Sequence, residues 1–272
     1  MVTRLANRAW LAAARIILLT TGAGALVSQA WAGDDWQVGV MVGGGVAPRY
    51  SGSKDTATSP AYGLSIRSPY GVFLDSDSGL GWGTTLPNGV STQVYVGLSG
   101  SRKDHRKHGE GSDYLRGMGD IKSRASIGWD ISAPIGPVVL SGSIRRALKQ
   151  GSDKDTGKAY TQVHVGIGTD LVKGTGGTVS VLLGASFGDS NYMQTWYGVS
   201  AAQAGRTRFA AYRPKAGMES VSLGGSWSYP IDKHFSATLS VEAAQLVGDA
   251  GKSPLTQKKH QYSGGLMLGY QF

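Results

Sequence analysis

The stretch Phe235-Ser236-Ala237-Thr238-Leu239-Ser240-Val241-Glu242-Ala243 switches between apolar and polar at every step. A period of two belongs to an extended strand whose faces meet different surroundings; a helix would repeat near 3.6. The same alternation runs outward in both directions. Trp36, Val38, Val40 and Val42 oppose Gln37, Gly39, Met41 and Gly43. Val94, Val96 and Leu98 oppose Gln93, Tyr95 and Gly97, and Val221, Leu223, Trp227 and Tyr229 oppose Ser222, Gly224, Ser226 and Ser228. The last run sets Tyr262, Leu266, Leu268, Tyr270 and Phe272 against Gln261, Ser263, Gly265, Gly269 and Gln271. Each run is about 9–12 residues, the length of a tilted strand across a hydrocarbon core. A soluble sandwich alternates too, but its outer face usually carries Lys, Glu and Thr. Here the polar face is Gly and Ser, which suits a narrow lumen whose walls approach each other. The expected fold is all-β, a single antiparallel transmembrane β-barrel.

Composition agrees. Gly supplies 42 of 272 residues, roughly twice the usual share of about 7%. It has no triplet period and no single tract, which excludes collagen and argues against a disordered linker. Beyond residue 30, no apolar run approaches the roughly 18 residues of a spanning helix. The absence of Cys removes disulfide scaffolds, Cys-ligated zinc, iron–sulfur clusters and thiol nucleophiles together.

The first residues read as a leader. Arg4, Arg8 and Arg15 accompany the apolar stretch Ile16 to Val27, and Ala30-Trp31-Ala32 offers small residues on both sides of the tryptophan before a cut after Ala32. That is the layout of a secretory signal peptide over 1–32, leaving 33–272 as one barrel domain. Removing the three arginines lowers the formal charge from +9 to +6. The expected location is the outer membrane of a Gram-negative envelope, with lipid and lipopolysaccharide as surroundings and nucleic acid excluded as a partner.

Connectors alternate between short and long. Ser68-Pro69-Tyr70-Gly71, Leu86-Pro87-Asn88-Gly89, Pro134-Ile135-Gly136-Pro137, Lys173-Gly174-Thr175-Gly176 and Pro230-Ile231-Asp232-Lys233 are turns by composition. Between them lie long segments near 47–59, 102–120, 150–159, 188–217 and 247–260. Short periplasmic turns and long external loops are the rhythm of outer-membrane barrels. Strands are expected near 35–46, 60–68, 70–76, 79–86, 90–101, 121–131, 138–149, 160–171, 178–187, 218–229, 235–246 and 261–272. That makes about twelve, or ten if the short hairpin at 70–86 is lost. Tyr270 and Phe272 at the end of the final run have the form of a barrel-assembly signal.

One segment is more specific. Ser186-Phe187-Gly188-Asp189-Ser190-Asn191-Tyr192-Met193-Gln194-Thr195-Trp196-Tyr197-Gly198-Val199-Ser200, followed by Ala211-Tyr212-Arg213-Pro214-Lys215-Ala216-Gly217-Met218, resembles the MipA/OmpV family. Pro48-Arg49-Tyr50-Ser51-Gly52-Ser53, Leu246-Val247-Gly248-Asp249-Ala250-Gly251-Lys252-Ser253-Pro254 and, more faintly, Ser143-Ile144-Arg145-Arg146-Ala147-Leu148 resemble it in the same order. The resemblance implies an outer-membrane barrel. It also implies a scaffold role joining a murein lytic transglycosylase to a bifunctional penicillin-binding protein, other members being similar to porins or adhesins. It brings no catalytic motif.

The residues themselves suggest little chemistry. Asp104-His105-Arg106-Lys107-His108-Gly109-Glu110 collects two His and two carboxylates. Its two histidines would share a metal only on a turn of helix, so a solvated loop tip facing lipopolysaccharide phosphates is the simpler reading. No catalytic, cofactor-binding or metal residue is assigned, and a barrel hydrolase is the remotest reading. Lys122, Arg124, Asp130, Arg145 and Glu242 fall on the polar faces and are candidate lumen charges, setting ion selectivity or pairing within a closed interior. Tyr192, Met193, Trp196, Tyr197 and Tyr212 sit in a loop too long and apolar to be idle, a candidate plug or partner surface.

Overall fold

The computed structural model describes residues 35–107, 110–151 and 155–272. The expected leader and His108 lie outside them. Twelve strands close into one antiparallel barrel in sequence order, with the last strand against the first. They are β1 (Gln37–Pro48), β2 (Thr56–Arg67), β3 (Val72–Asp75), β4 (Gly79–Thr85), β5 (Ser91–Leu98), β6 (Ala125–Ile135), β7 (Val138–Ala147), β8 (Tyr160–Gly174), β9 (Gly177–Gly188), β10 (Gly217–Pro230), β11 (Phe235–Leu246) and β12 (His260–Gln271). Three short helices, α1 (Ser190–Tyr197), α2 (Ala201–Ala204) and α3 (Gly248–Lys252), lie in the long loops.

Alternation becomes the two faces of the wall. Val40, Val42, Val46, Leu239, Val241, Leu266 and Leu268 are exposed, as lipid-facing residues of a barrel are. Trp36, Tyr70, Trp82, Trp227, Tyr229, Phe235 and Phe272 are also exposed and cluster toward the short-turn end. They form the aromatic girdle of one membrane interface. Tyr270 stacks edge-on with both Phe235 and Phe272, ring centres 4.8 Å apart in each case.

Boundaries shift at three places. β2 begins at Thr56, four residues before the expected start at 60, because Pro60 pairs with Gly44 inside the strand. Proline is tolerated there since its missing N–H points away from β1. β5 ends at Leu98 and β6 begins at Ala125. Beyond them pairing continues only as isolated contacts, such as Ser99 N–H to Arg124 C=O at 2.8 Å and the Arg102–Ile121 bridge. The short hairpin is present. Its turn at 76–78 lies part-way up the wall, and β2 pairs with β3 only at Ser65, Ile66 and Arg67.

The interior differs from the narrow lumen expected. Twelve strands about 4.8 Å apart and tilted by about 40° close at a backbone diameter of about 24 Å, so Gly and Ser cannot bridge it. Met41, on the inward face, is 45% exposed. The inward glycines instead accommodate rings lying along the wall: a Cβ on Gly128 would sit 2.1 Å from Tyr95 Cζ. Glycine also lines the seam between β1 and β12, where six of the eight paired positions include one.

Substituting the lipid-facing Leu239 by Arg is expected to cost about 2–4 kcal/mol, measured by denaturant unfolding in vesicles, with inward Ser240→Arg costing clearly less. The closed ring also predicts that unboiled protein runs faster on gels than boiled protein; identical mobility would contradict it.

Candidate functional site: a loop lid over a charged lumen

The long loops fold over the outer mouth as a packed lid. α1 starts where Asp189 caps it, its carboxylate accepting from Tyr192 N–H at 2.7 Å and from Thr161 N–H at 2.8 Å. Gly188 leaves the space that the Tyr192 ring fills, since a Cβ there would lie 2.2 Å from the ring. α1 then buries Tyr192, Met193 and Tyr197 against Ala147, Tyr160, Leu246 and Ala250, with Trp196 at the edge. A second cluster joins Tyr50, Leu115, Met118, Val199, Phe209 and Leu255, with Tyr212 packed on it. α2 is held by a reciprocal cap between Ser200 and Gln203, and Gln203 donates onward to Met118 C=O at 2.7 Å.

Bonds between loops cross the mouth. Ser51 shares a 2.6 Å hydrogen bond with Tyr197 Oη, and Arg102 donates to Trp196 C=O at 2.6 Å. In each case two further strands separate the nearest parent strands of the joined loops around the ring. Ser253 Oγ donates to Tyr197 C=O at 2.6 Å, and Tyr212 Oη donates to Asp249 C=O at 2.9 Å. At the centre is Glu219, buried at the top of β10. It accepts from Tyr192 Oη at 2.8 Å, Tyr197 Oη at 2.5 Å and Gln162 Nε2 at 3.0 Å. Burial, and then the Glu219 charge, push both phenols well above their ordinary range. Burial also pulls the Arg102 guanidinium down to about 10.

Glu219 escapes a reading of the sequence by alternation. Its parity matches Val221 and Leu223, which face lipid, but a register shift between Met218 and Ser220 turns it inward. The only signal in the sequence is a lone carboxylate on an otherwise apolar parity.

Below the lid, the wall carries a charged group. Asp130 accepts from Gln93 at 2.7 Å and Tyr95 at 3.1 Å, and Arg145 donates to Tyr95 Oη at 3.1 Å. Asp130 and Arg145, expected as lumen charges, therefore meet through one tyrosine. Glu242 is half-buried on β11, apart from them. Lys122 lies ahead of β6 and is exposed, in the break between the Arg102–Ile121 bridge and the continuous ladder that starts at Ala125. Arg124 is buried beneath the lid. It donates to Lys158 C=O at 2.9 Å and to Thr156 C=O, with its guanidinium 5.3 Å from the Tyr160 ring centre. It anchors a loop. Among the described residues, Asp104, His105 and Asp120 gather ligand atoms within 4.8 Å. Their carboxylates are engaged: Asp120 with Lys103 at 2.8 Å, and Asp104 with the Gly117 and Gly119 amides at 3.1 Å each. This set shapes the loop.

Replacing Glu219 by Leu strands three donors and is expected to cost about 3 kcal/mol. External protease should then cut within 189–216 while the unboiled gel shift persists; unchanged resistance would contradict the role of Glu219. The raised phenols give the lid stability that is complete below their ordinary value near 10 and lost as pH rises through the raised values. Protease resistance should therefore hold at neutral pH and fall above about pH 10.

The family model described as MltA-interacting protein MipA matches residues 38–272. No curated protein matches this chain. Among solved structures, the COG4313 outer membrane channel from Pseudomonas putida F1 is similar at 11% identity and a TM-score of 0.45, covering 88% of this chain and 96% of that one. A loop L8 deletion mutant of OmpT, an outer membrane protein of Vibrio cholerae, has 8% identity and a TM-score of 0.39, with 88% and 98% covered. An anion-selective porin from Comamonas acidovorans has 8% identity and a TM-score of 0.34, with 87% and 98% covered. With the family matched over nearly all of the barrel, and the barrel closed and belted for lipid, the chain is an outer-membrane protein that belongs to the MipA family.

Proposed function

We propose that this barrel is a non-enzymatic interaction protein that assembles murein-synthesising machinery at the outer membrane. Its partners in this reading are a lytic transglycosylase and a bifunctional penicillin-binding protein. The observation that carries the reading is membership of a family described by its interaction with MltA. The closed lid supports it, because a mouth packed with Tyr192, Met193 and Tyr197 is poorly suited to steady axial flow. On the periplasmic side the turns are short and carry exposed Tyr70, Leu86, Ile135 and Ile231. A periplasmic enzyme would dock on that rim. At the opposite end, exposed cations such as Arg106 and Arg116 suit lipopolysaccharide phosphates.

Crosslinking intact envelopes and purifying the chain should recover both murein enzymes; recovery of neither would overturn the reading. A passive porin for small solutes is the competing reading. Planar-bilayer recordings separate the two, the scaffold giving little conductance and the porin a large, steady one.

A further inference from the structure

We propose that the unfilled part of the wall between β2 and β5 is a side portal. Through it an amphiphile with an apolar tail and a cationic head passes between the lumen and the outer leaflet. This stands independently of the scaffold reading.

The opening follows from the short β3–β4 hairpin. Four neighbouring strands span three spacings, so where β3 and β4 stop, β2 and β5 stand about 14 Å apart. Residues 56–63 of β2 border this gap, and no strand of the described residues pairs with them there. Along a tilted strand that length rises by about 20 Å, placing the opening in the outer part of the lipid belt. The turn below is fixed: Ser76 N–H donates to Leu64 C=O at 2.9 Å, and Leu64 N–H donates to Ser76 Oγ at 2.8 Å. Above, the loop after β5 leans across to the loop after β1. Arg106 pairs with Asp55 at 3.7 Å, and Arg49 donates to the carbonyls of Glu110 and Gly111 at 3.4 and 3.3 Å. The gap is thus a window bounded on four sides.

Its edge is polar. Leu64 directs its backbone groups toward the gap side, so Tyr62, Pro60 and Thr58 do so as well by the alternation of an antiparallel ladder. Pro60 has no N–H to present, but Tyr62 and Thr58 each present a donor and an acceptor. Backbone left open at membrane depth is tolerated where it lines a cavity reached by water, and not against hydrocarbon. Outside, the rim is apolar, with Tyr62, Leu74, Leu80 and Leu98 exposed. Inside, Asp77 on the turn is exposed and lies within electrostatic range of Asp75, Asp130 and Arg145. With the Arg67–Asp75 pair at 4.0 Å, the wall beside the window holds the carboxylates Asp75, Asp77 and Asp130 against the guanidiniums Arg67 and Arg145. By formal charge these carboxylates outnumber the guanidiniums by one. An apolar rim around an acidic interior matches a tail left in lipid and a cationic head drawn inward. The loops pack over the axial mouth, and the window offers a way from the lumen to the outer leaflet that avoids them.

The test uses the full chain in lipid vesicles. Dodecylamine with a photoreactive diazirine on its tail is the probe, and dodecanol with the same group is the neutral comparison. Adducts of the amine should concentrate on residues 56–64 and 74–80 and exceed those of the alcohol. Lengthening the β3–β4 hairpin by two residues on each strand fills the window and should abolish the enrichment while the unboiled gel shift remains. Asp77→Asn should lower amine labelling there by about two- to fivefold, the effect of one partly screened charge. Adducts spread evenly around the belt, or enrichment that survives the lengthened hairpin, would overturn the portal. Equal labelling by the alcohol would overturn the cationic head. If the lengthened chain does not close, Asp77→Asn in the otherwise native chain decides: unchanged labelling overturns the proposal.

Discussion

A backbone amide or carbonyl facing hydrocarbon must find its partner within the protein, and every feature of this barrel answers to that requirement. It forces the ring to close, β1 on β12. It then frees the side chains: once the ladder satisfies the backbone, the outer face can be Val, Leu and Trp and the inner face can be almost nothing. The few places where the ladder is interrupted stand out for the same reason. The short hairpin and the register shift under the lid are both sites where polar groups collect.

The lid obeys a second form of the rule. Its apolar clusters alone would be satisfied by many packings. Glu219 narrows the choice, because a buried carboxylate needs several donors at fixed positions, and two of them are the terminal atoms of Tyr192 and Tyr197. Loop tips from distant strands are thereby locked in one arrangement. The Tyr197 hydroxyl, which also meets Ser51, ties the first loop to the fourth.

Much of the wall was legible in the sequence because alternation is local. Phe235–Leu246 and Val138–Ala147 lie close to where their apolar residues put them. Errors arose where a local rule met a long-range one. Pro60 looked like a strand boundary, but it is a strand residue on an unpaired side. Lys122 shares the parity of Asp130, but it lies where the β5–β6 ladder is broken, between the Arg102–Ile121 bridge and β6. Glu219, to which alternation attached no role, is turned inward by a bulge against its lipid-facing parity. Tyr192, Met193, Trp196 and Tyr197 were recognisable as too apolar for an idle loop. Their partners, spread from Ser51 to Ser253 in the sequence, are set only by closure of the ring. The narrow lumen failed for a geometric reason, since diameter follows strand number and tilt rather than side-chain size.

The glycine-lined seam has a consequence for where this ring is strong. Most neighbouring strands share opposed side chains, but the β1–β12 join has few to share, so main-chain hydrogen bonds carry it almost alone. Such bonds gain strength as water is withdrawn and lose it where water competes. The seam therefore behaves as a zipper worked by the surrounding medium: loose in an aqueous chain on its way to the membrane, and fastened by the lipid itself once the chain arrives.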